Sequence, residues 1–366
     1  MSWRVPLAEL RISEEDVAAV LGCLGPGRLE AGAAVAALER ALAGTLGVRH
    51  AVAVASGTAA LHLACLAIGL GPGDEAIVPG LTFVATANAV RYAGATAVPC
   101  EVIAAREPNV DPDDVARRIT PRTRAVIAVH LFGYPADLAA LAEICAERGI
   151  ALIEDCAQAL GARFGGRSVG AVGDVGCLSF FSKKQLAIGE GGLVATDDER
   201  IAARVRALHA LPGPGAAWDP ARLGHDLAMD EPRAALALSR LGRLAGELEG
   251  RRRLARAYRR RLAGTPGIEI PFTEAAVADS GHFAFPLLLA DRTQRDRFRA
   301  ALAAEGVQTT CYPALHRLAA WPAPRPSLPR VEEAADRHVC LPMMADMEPA
   351  SLDLVVDAAL RAAPPR

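Results

Sequence analysis

Short runs of consecutive apolar residues alternate along this chain with longer segments in which apolar positions return every three or four residues. The first pattern is that of strands buried on both faces, the second that of helices with one face against a core. Strands are predicted at 51–55, 75–78, 95–99, 124–129, 150–153, 175–181 and 193–196, and helices at 59–68, 86–93, 138–148 and 199–208 fall among them. Two further helices precede this block, at 13–24 behind a Ser-x-x-Asp start and at 33–46 behind Gly32. The alternation predicts a mostly parallel sheet covered by helices, because parallel strands need crossovers and a helix provides one. Beyond residue 230 the pattern changes. Leu236, Leu238, Leu241, Leu244 and Leu248 mark a long helical stretch over 232–262. A smaller α/β unit follows, with strands near 282–290 and at 307–312 and helices at 292–305 and 351–362. Irregular loops are expected at Pro212-Gly213-Pro214-Gly215 and over the proline-rich 321–329, the latter on the surface. The chain thus divides into a large domain, 1–235, and a connecting helix with a small C-terminal α/β domain, 236–366.

At 366 residues the chain is long for a single core, which agrees with that division. Hydrophobic residues make up 52% but aromatics only 4%, so the core is expected to consist of Ala, Leu and Val. A net charge of −2 with no basic domain argues against a nucleic-acid polymer as partner. The arginines at 251, 252, 253, 256, 259, 260 and 261 stand near Glu247 and Glu249 and read as a solvated helix face. Eight scattered cysteines, with no CxxC pair and no ligand spacing to histidine, point to reduced, mostly buried thiols of a cytoplasmic protein and to no metal site. Met1 to Glu9 lacks a basic region followed by an apolar core, so no secretory signal is expected. The uncharged stretch 51–71 contains Ser56, Gly57, Thr58 and His62 and fits a strand, a turn and a helix better than a membrane span.

The chemistry concentrates between Gly173 and Asp197. Lys184 lies in the connection between two apolar strands, where walls that exclude water disfavour its ammonium and leave an amine able to form a Schiff base with an aldehyde. Gly189, Glu190, Gly191 and Gly192 follow, and glycines there permit positive φ and close backbone approach. Asp155 ends the preceding strand, at the edge where open α/β sheets bind ligands. An amine and an anion one strand apart are the two groups that pyridoxal phosphate requires, for its aldehyde carbon and for its protonated ring nitrogen. Ser56-Gly57-Thr58 opens a helix, whose backbone N–H groups can hold a phosphate without any basic side chain.

Five stretches carry a resemblance: SGTAAL from Ser56, PGLTFVATANA from Pro79, VHLFGYPAD from Val129, EDCAQALGA from Glu154 and SFFSKKQLAIGEGG from Ser179. In order and spacing they resemble the DegT/DnrJ/EryC1/StrS family of sugar aminotransferases. The resemblance implies an α/β protein of the type I aminotransferase fold, with a mostly parallel seven-stranded sheet in the large domain and a smaller C-terminal α/β lobe. It implies pyridoxal 5'-phosphate, alternating with its amino form, as cofactor. Lys184, at K-x-x-x-x-G-E-G-G spacing, rather than Lys183, would hold it and shuttle protons; Asp155 would pair with the ring nitrogen; Gly57, Thr58 and Ser179 would bind the phosphate; Phe83 would stack on the ring with Gln158 beside it. Tyr312 and His316, within Cys311 to His316, correspond to a stretch bordering the substrate pocket. The implied partners are an amino-acid donor such as L-glutamate, a nucleotide-linked keto-sugar or a keto-cyclitol as acceptor, and a second copy of the chain, the sites lying at a homodimer interface. A family branch that dehydrates keto-sugars has histidine in place of the lysine, so Lys184 argues against it. A binding or regulatory protein without turnover is the alternative from another class. The chain departs from the family where Asp226 and Ala228 stand in place of asparagine and arginine. The family's asparagine reaches the cofactor phosphate of the neighbouring subunit, where a carboxylate would meet like charge. Asp226 is therefore expected either to turn away, by capping the helix that starts near Glu231 or by pairing with an arginine, or to stand as a cofactor-binding residue at that phosphate with a proton, a water or a nearby cation between them.

Overall fold

Seven strands form the central sheet, in the spatial order His50–Val54, Gly192–Thr196, Val175–Ser179, Ala151–Asp155, Thr123–Val129, Glu75–Pro79 and Thr96–Cys100. The structure is a computed structural model and describes residues 3–25, 27, 29–210, 224–322 and 325–364. Gly192–Thr196 runs antiparallel to both its neighbours, and the other pairings are parallel. Helices cover both faces, which is why these strands read as unbroken apolar runs. One face packs against Leu38, Leu42, Leu138 and Leu141, and the other against the helix Gly57–Ala67 through Leu61, Leu63 and Ala64. Parallel alignment sets the carboxyl ends of Ala151–Asp155 and Val175–Ser179 at one edge, so Asp155 and the lysine-bearing loop share that edge.

The N-terminal helices Glu14–Leu24 and Ala33–Leu46 dock on the helix Glu231–Leu241 through polar clamps. Glu231 accepts from the backbone N–H groups of Gly32, Ala34 and Val35 at 2.9, 3.0 and 2.9 Å, closing the start of Ala33–Leu46 with a carboxylate from a residue far along the chain. This suits a helix N-terminus, where unpaired N–H groups and the helix dipole favour an anion. Asp16 is fully buried and accepts from Ser239 Oγ at 2.7 Å and, through both its oxygens, from Arg243 Nη2 at 2.8 and 2.7 Å; these bonds hold its carboxyl at about 2 against the penalty of burial.

Several expectations are corrected. The helical stretch over 232–262 is two helices, Glu231–Leu241 and Leu244–Leu262, broken at Gly242-Arg243, where the turn brings Arg243 round to Asp16. The arginine-rich second helix is not simply a solvated face. Arg251 is buried, with Nη1 donating to the carbonyls of Met343 at 3.1 Å and His282 at 3.3 Å, and burial draws its pKa down to about 10. Residues 307–312 are not a strand; Val307 and Thr310 make isolated bridges to Val5 and Cys340. The strand that pairs with Phe285–Leu288 is His338–Leu341, antiparallel to it. Around that pair Tyr258, Phe285, Phe298, Val339 and Val356 form a separate core, which Val5 from the N-terminus joins. The helix Leu244–Leu262 passes from one core to the other, Leu244 belonging to the first and Leu254 to the second. The proline-rich stretch lies at the surface as expected, with Pro322, Arg325, Ser327 and Pro329 exposed, and it is anchored by the buried Trp321 and Leu328 before Pro329 opens the helix Pro329–Arg337. Pro212-Gly213-Pro214-Gly215 lies outside the described residues.

Candidate active site

A cavity of about 410 Å³ opens at the carboxyl edge of the sheet. Gly57, Thr58, Phe83, Asp155, Gln158, Ser179, Lys184 and Tyr312 all line it, although they come from six separate parts of the sequence. His316 and Asp226 do not. His316 lies in the short turn Leu315–Arg317, buried, with Nε2 at 2.9 Å from Glu332 Oε1, so it ties that turn to the helix Pro329–Arg337. Asp226 is exposed, in a left-handed conformation with φ of 46°, and pairs with no arginine among the described residues. It does not cap Glu231–Leu241; Asp230 does, accepting from Arg233 N at 3.0 Å. The neighbouring Leu227 and Ala228 instead follow the edge strand, through Ala55 N donating to Leu227 O and a bridge between Val54 and Ala228.

The floor of the cavity is Asp155. Thr86 Oγ1 donates to its Oδ2 at 2.8 Å and Ala157 N to its Oδ1 at 3.1 Å, while Thr82 Oγ1 stands 3.0 Å from Thr86 Oγ1. Burial nonetheless raises the Asp155 pKa, and the two donors and the Lys184 amine oppose that rise. A buried carboxylate raised in this way is matched by a cation that enters the cavity.

Lys184 sits in a loop fixed at both ends. Phe180 N donates to Gly191 O at 2.8 Å, Ile188 N to Phe180 O at 2.9 Å and Lys184 N to Phe181 O at 2.8 Å. Gly189 takes φ of 95° in that loop, a value that favours glycine. Gln185, buried, donates through Nε2 to Gln158 O at 2.8 Å and Gly281 O at 3.0 Å, fastening the loop to both halves of the cavity wall. The Lys184 amine lies 4.4 Å from the centre of the Phe283 ring. Burial lowers its pKa to about 8, Asp155 opposing and Lys183 adding to the fall.

Opposite, Ser56 caps the helix Gly57–Ala67 by accepting from Ala59 N at 3.1 Å. Helix geometry leaves the N–H groups of Gly57 and Thr58 without an intrahelical partner, beside Ser179. A Cβ on Gly57 would come within 2.6 Å of Ser179 Cβ, and one on Gly192 would strike the Ser56 backbone, so glycine at both positions lets strand and helix start close around this corner. Phe83 and Phe181 are large apolar rings left exposed at the mouth. Amine, buried anion, free helix N–H groups and uncovered aromatic faces together match the donor set that pyridoxal 5'-phosphate needs: its aldehyde, ring nitrogen, phosphate and ring plane.

Behind the cavity His130, Glu154 and Cys156 cluster within reach of one another. Their ligand atoms are already spent. Glu154 accepts from Gly170, Val172 and Gly173 N–H groups at 2.7 to 2.8 Å and lies 3.0 Å from His130 Nε2, while His130 Nδ1 accepts from Ala136 N at 3.1 Å. The imidazole is thus the Nε2–H tautomer, and the cluster braces the strand one residue before Asp155. Thr86, Gln185 and Phe283 were missed as site residues from the sequence. Thr86 and Gln185 had a signal, their places inside TFVATANA and SFFSKKQLAIGEGG; Phe283 had none.

Known proteins resemble this chain over nearly its whole length. The family model of the DegT/DnrJ/EryC1/StrS aminotransferases matches residues 10–360. The chain is 38% identical over 367 residues to dTDP-3-amino-3,4,6-trideoxy-alpha-D-glucose transaminase of Streptomyces venezuelae, covering 97% of this chain and 95% of that one. It is also 38% identical over 325 residues to UDP-N-acetyl-3-dehydro-alpha-D-glucosamine 3-aminotransferase of Acidithiobacillus ferrooxidans, covering 85% and 84%. Among solved structures, DesV of S. venezuelae, crystallised with a ketimine intermediate, superposes with a TM-score of 0.93 at 36% identity over 100% of both chains. TlmJ of Streptoalloteichus hindustanus gives 0.92 at 32% identity over 98% of each. Fold and site define a pyridoxal-phosphate-dependent aminotransferase of the type I fold. The chain belongs to the DegT/DnrJ/EryC1/StrS aminotransferase family.

Proposed function

We propose that this protein transfers the amino group of L-glutamate to the keto group of a nucleotide-linked sugar. The observation that carries the reading is the convergence of Lys184, Asp155 and the Gly57–Thr58 helix start on one cavity, supported by relatives whose names are those of nucleotide-sugar aminotransferases. Pyridoxal 5'-phosphate, when bound, carries the amino group from donor to acceptor and accepts electron density from the reacting carbon. Gly57 N, Thr58 N and Ser179 hold its phosphate. Asp155 keeps the ring nitrogen protonated, with Thr86 and Ala157 orienting the carboxylate. Phe83 covers one ring face, and Gln158 stands beside the ring with its Oε1 already accepting from Phe132 N at 2.8 Å. Lys184 would hold the cofactor through its amine and, when free, would give and take the proton at the reacting carbon, since an amine with a pKa of about 8 does both near neutrality. Tyr312 lines the substrate side. The product serves antibiotic or cell-surface sugar assembly, and eight unpaired cysteines, six of them buried, fit a reducing cytoplasm.

The test is incubation of the holoenzyme with L-glutamate and a panel of dTDP-, UDP- and GDP-linked keto-sugars together with keto-cyclitols. A new amine on one nucleotide sugar, matched by 2-oxoglutarate, is the expected result. Amination confined to a cyclitol would move the acceptor out of the nucleotide sugars, and no 2-oxoglutarate with any acceptor would end the reading.

The active unit in this proposal is a homodimer, each cavity completed by residues 224–230 of the other copy. Asp226 is exposed and lies outside its own chain's cavity, which supports this reading. Sedimentation at working concentration should give twice the chain mass of 38.2 kDa. A fully active monomer would remove this part.

A further inference from the structure

We propose that Lys183 receives an oxyanion of the exchanging substrate at the mouth of the Lys184 cavity, either the carboxylate of the amino donor or a phosphate of the acceptor. This rests on the transaminase reading above. Donor and acceptor occupy the cavity in turn, and both carry oxyanions that must leave water beside an apolar wall. Such groups need a cation or several N–H donors, because an unpaired anion in a partly dry site is costly. Among the lining residues the side-chain cations are Lys183 and Lys184 alone, and the carboxylates are Asp155 and Glu190. Lys184 is committed to the carbonyl chemistry.

The composition bears on this. Of the 40 cationic residues only two are lysines, at 183 and 184, and the rest are arginines, none of which lines the cavity among the described residues. A primary amine is indispensable at 184; at 183 the choice of lysine has a separate meaning. A guanidinium is a rigid planar fork that would lie flat on the exposed Phe181 and Phe83 rings, whereas an ammonium on a four-carbon stem can follow oxyanions at different positions.

The loop geometry supports the role. With Ser182 N bonded to Gly189 O at 3.1 Å and Lys184 N to Phe181 O at 2.8 Å, the turn is fixed; Lys184 points into the cavity half-buried and Lys183 stays exposed at its rim. Lys183 makes no ion pair with a described residue, so its ammonium is not already engaged. The cofactor phosphate has candidate donors of its own at Gly57, Thr58 and Ser179.

Because only two lysines exist, holoenzyme grown on lysine labelled with 13C and 15N at the ε position gives two side-chain signals, and the Lys183→Arg variant assigns them. The labelled protein is titrated with glutarate, which has the donor's two carboxylates and no amine, and with dTDP, which has an acceptor's phosphates and no sugar. The Lys183 signal is expected to move with at least one probe. Calorimetry should show Lys183→Met binding that probe about tenfold more weakly, the scale of one charge-assisted contact, with Lys183→Arg recovering part of the loss. Movement with glutarate names the donor carboxylate; movement with dTDP names the acceptor phosphate. The inference is overturned if wild type binds neither probe, if the Lys183 signal stays still at saturation, if Lys183→Met binds both as wild type does, or if its only loss is affinity for pyridoxal phosphate. None of these readouts needs turnover. Wild type that aminates a sugar while Lys183 is unmoved sinks this inference alone, and wild type that binds through Lys183 but never transfers an amine sinks the transaminase reading alone.

Discussion

With Lys184 replaced by alanine, amino transfer falls by at least about a thousandfold, because one side chain supplies both the covalent attachment and the general acid and base. Burial explains why this lysine is fit for both. At an ordinary pKa of about 10.5, roughly one molecule in a thousand would carry the neutral, nucleophilic amine at pH 7.5; at about 8, roughly a quarter do. The sign of the pH dependence follows. Protonation blocks attack on a carbonyl, so the rate at which coenzyme-free protein captures pyridoxal phosphate rises with pH and levels off above about 8 rather than above 10.5. Stopped-flow absorbance across pH 6.5 to 9.5, an assay range of about three units around that value, measures it. Alanine at 184 removes an amine that the fold holds in a poorly solvated place, so coenzyme-free Lys184→Ala should resist denaturant at least as well as wild type, and its inactivity cannot be put down to unfolding. After borohydride reduction, peptide mapping should find the modified lysine in wild type and in Lys183→Ala, and none in Lys184→Ala. A label on Lys183 would reverse the assignment.

The strands and the site were legible for the same reason. Runs such as Ala151–Asp155 and Gly192–Thr196 are buried on both faces, so their residue types are dictated by the sheet and visible without it. Asp155 stands at a strand end and Lys184 in the loop just beyond one, where the period breaks and a polar residue is conspicuous. What was hidden depended on distant partners. The break at Gly242-Arg243 has no proline and no strong local signal; it is favoured by a buried Asp16 more than two hundred residues earlier. Residues 307–312 have strand-like composition, but the ladder went to His338–Leu341, whose identity as partner of Phe285–Leu288 is a matter of tertiary packing. Asp226 was expected at the start of Glu231–Leu241 because aspartate caps helices well, and two aspartates competed for that place; Asp230, adjacent to the first turn, took it. His316 was singled out by its neighbours in the sequence, and its Nε2 was spent on Glu332 instead.

Asp155→Asn should keep the fold and part of the coenzyme affinity but lose about a hundred- to a thousandfold in turnover, the range found when a preorganised electrostatic partner of the reacting system is removed. The carboxylate is costly where it stands, since burial raises its pKa, and Thr86 and Ala157 donating to its two oxygens oppose that rise. Asp155 lines the cavity, where in the proposed reading a protonated ring nitrogen would complete the balance. Asparagine breaks this in two ways. It has no charge with which to keep that nitrogen protonated, and its NH2 group must face either a donor or the ring, leaving one polar contact repulsive. Thr86→Val is the informative companion. It removes one of the two donors but not the charge, so the Asp155 pKa rises further and turnover falls by a smaller factor, about tenfold, with the loss easing as pH rises and the carboxylate is restored. Asparagine at 155 cannot be rescued by pH, because it has nothing to ionise. Steady-state kcat/KM for L-glutamate from pH 6 to 9, a span of about three units, separates the two patterns. Turnover near wild type in Asp155→Asn would mean that the ring nitrogen is not held by this carboxylate.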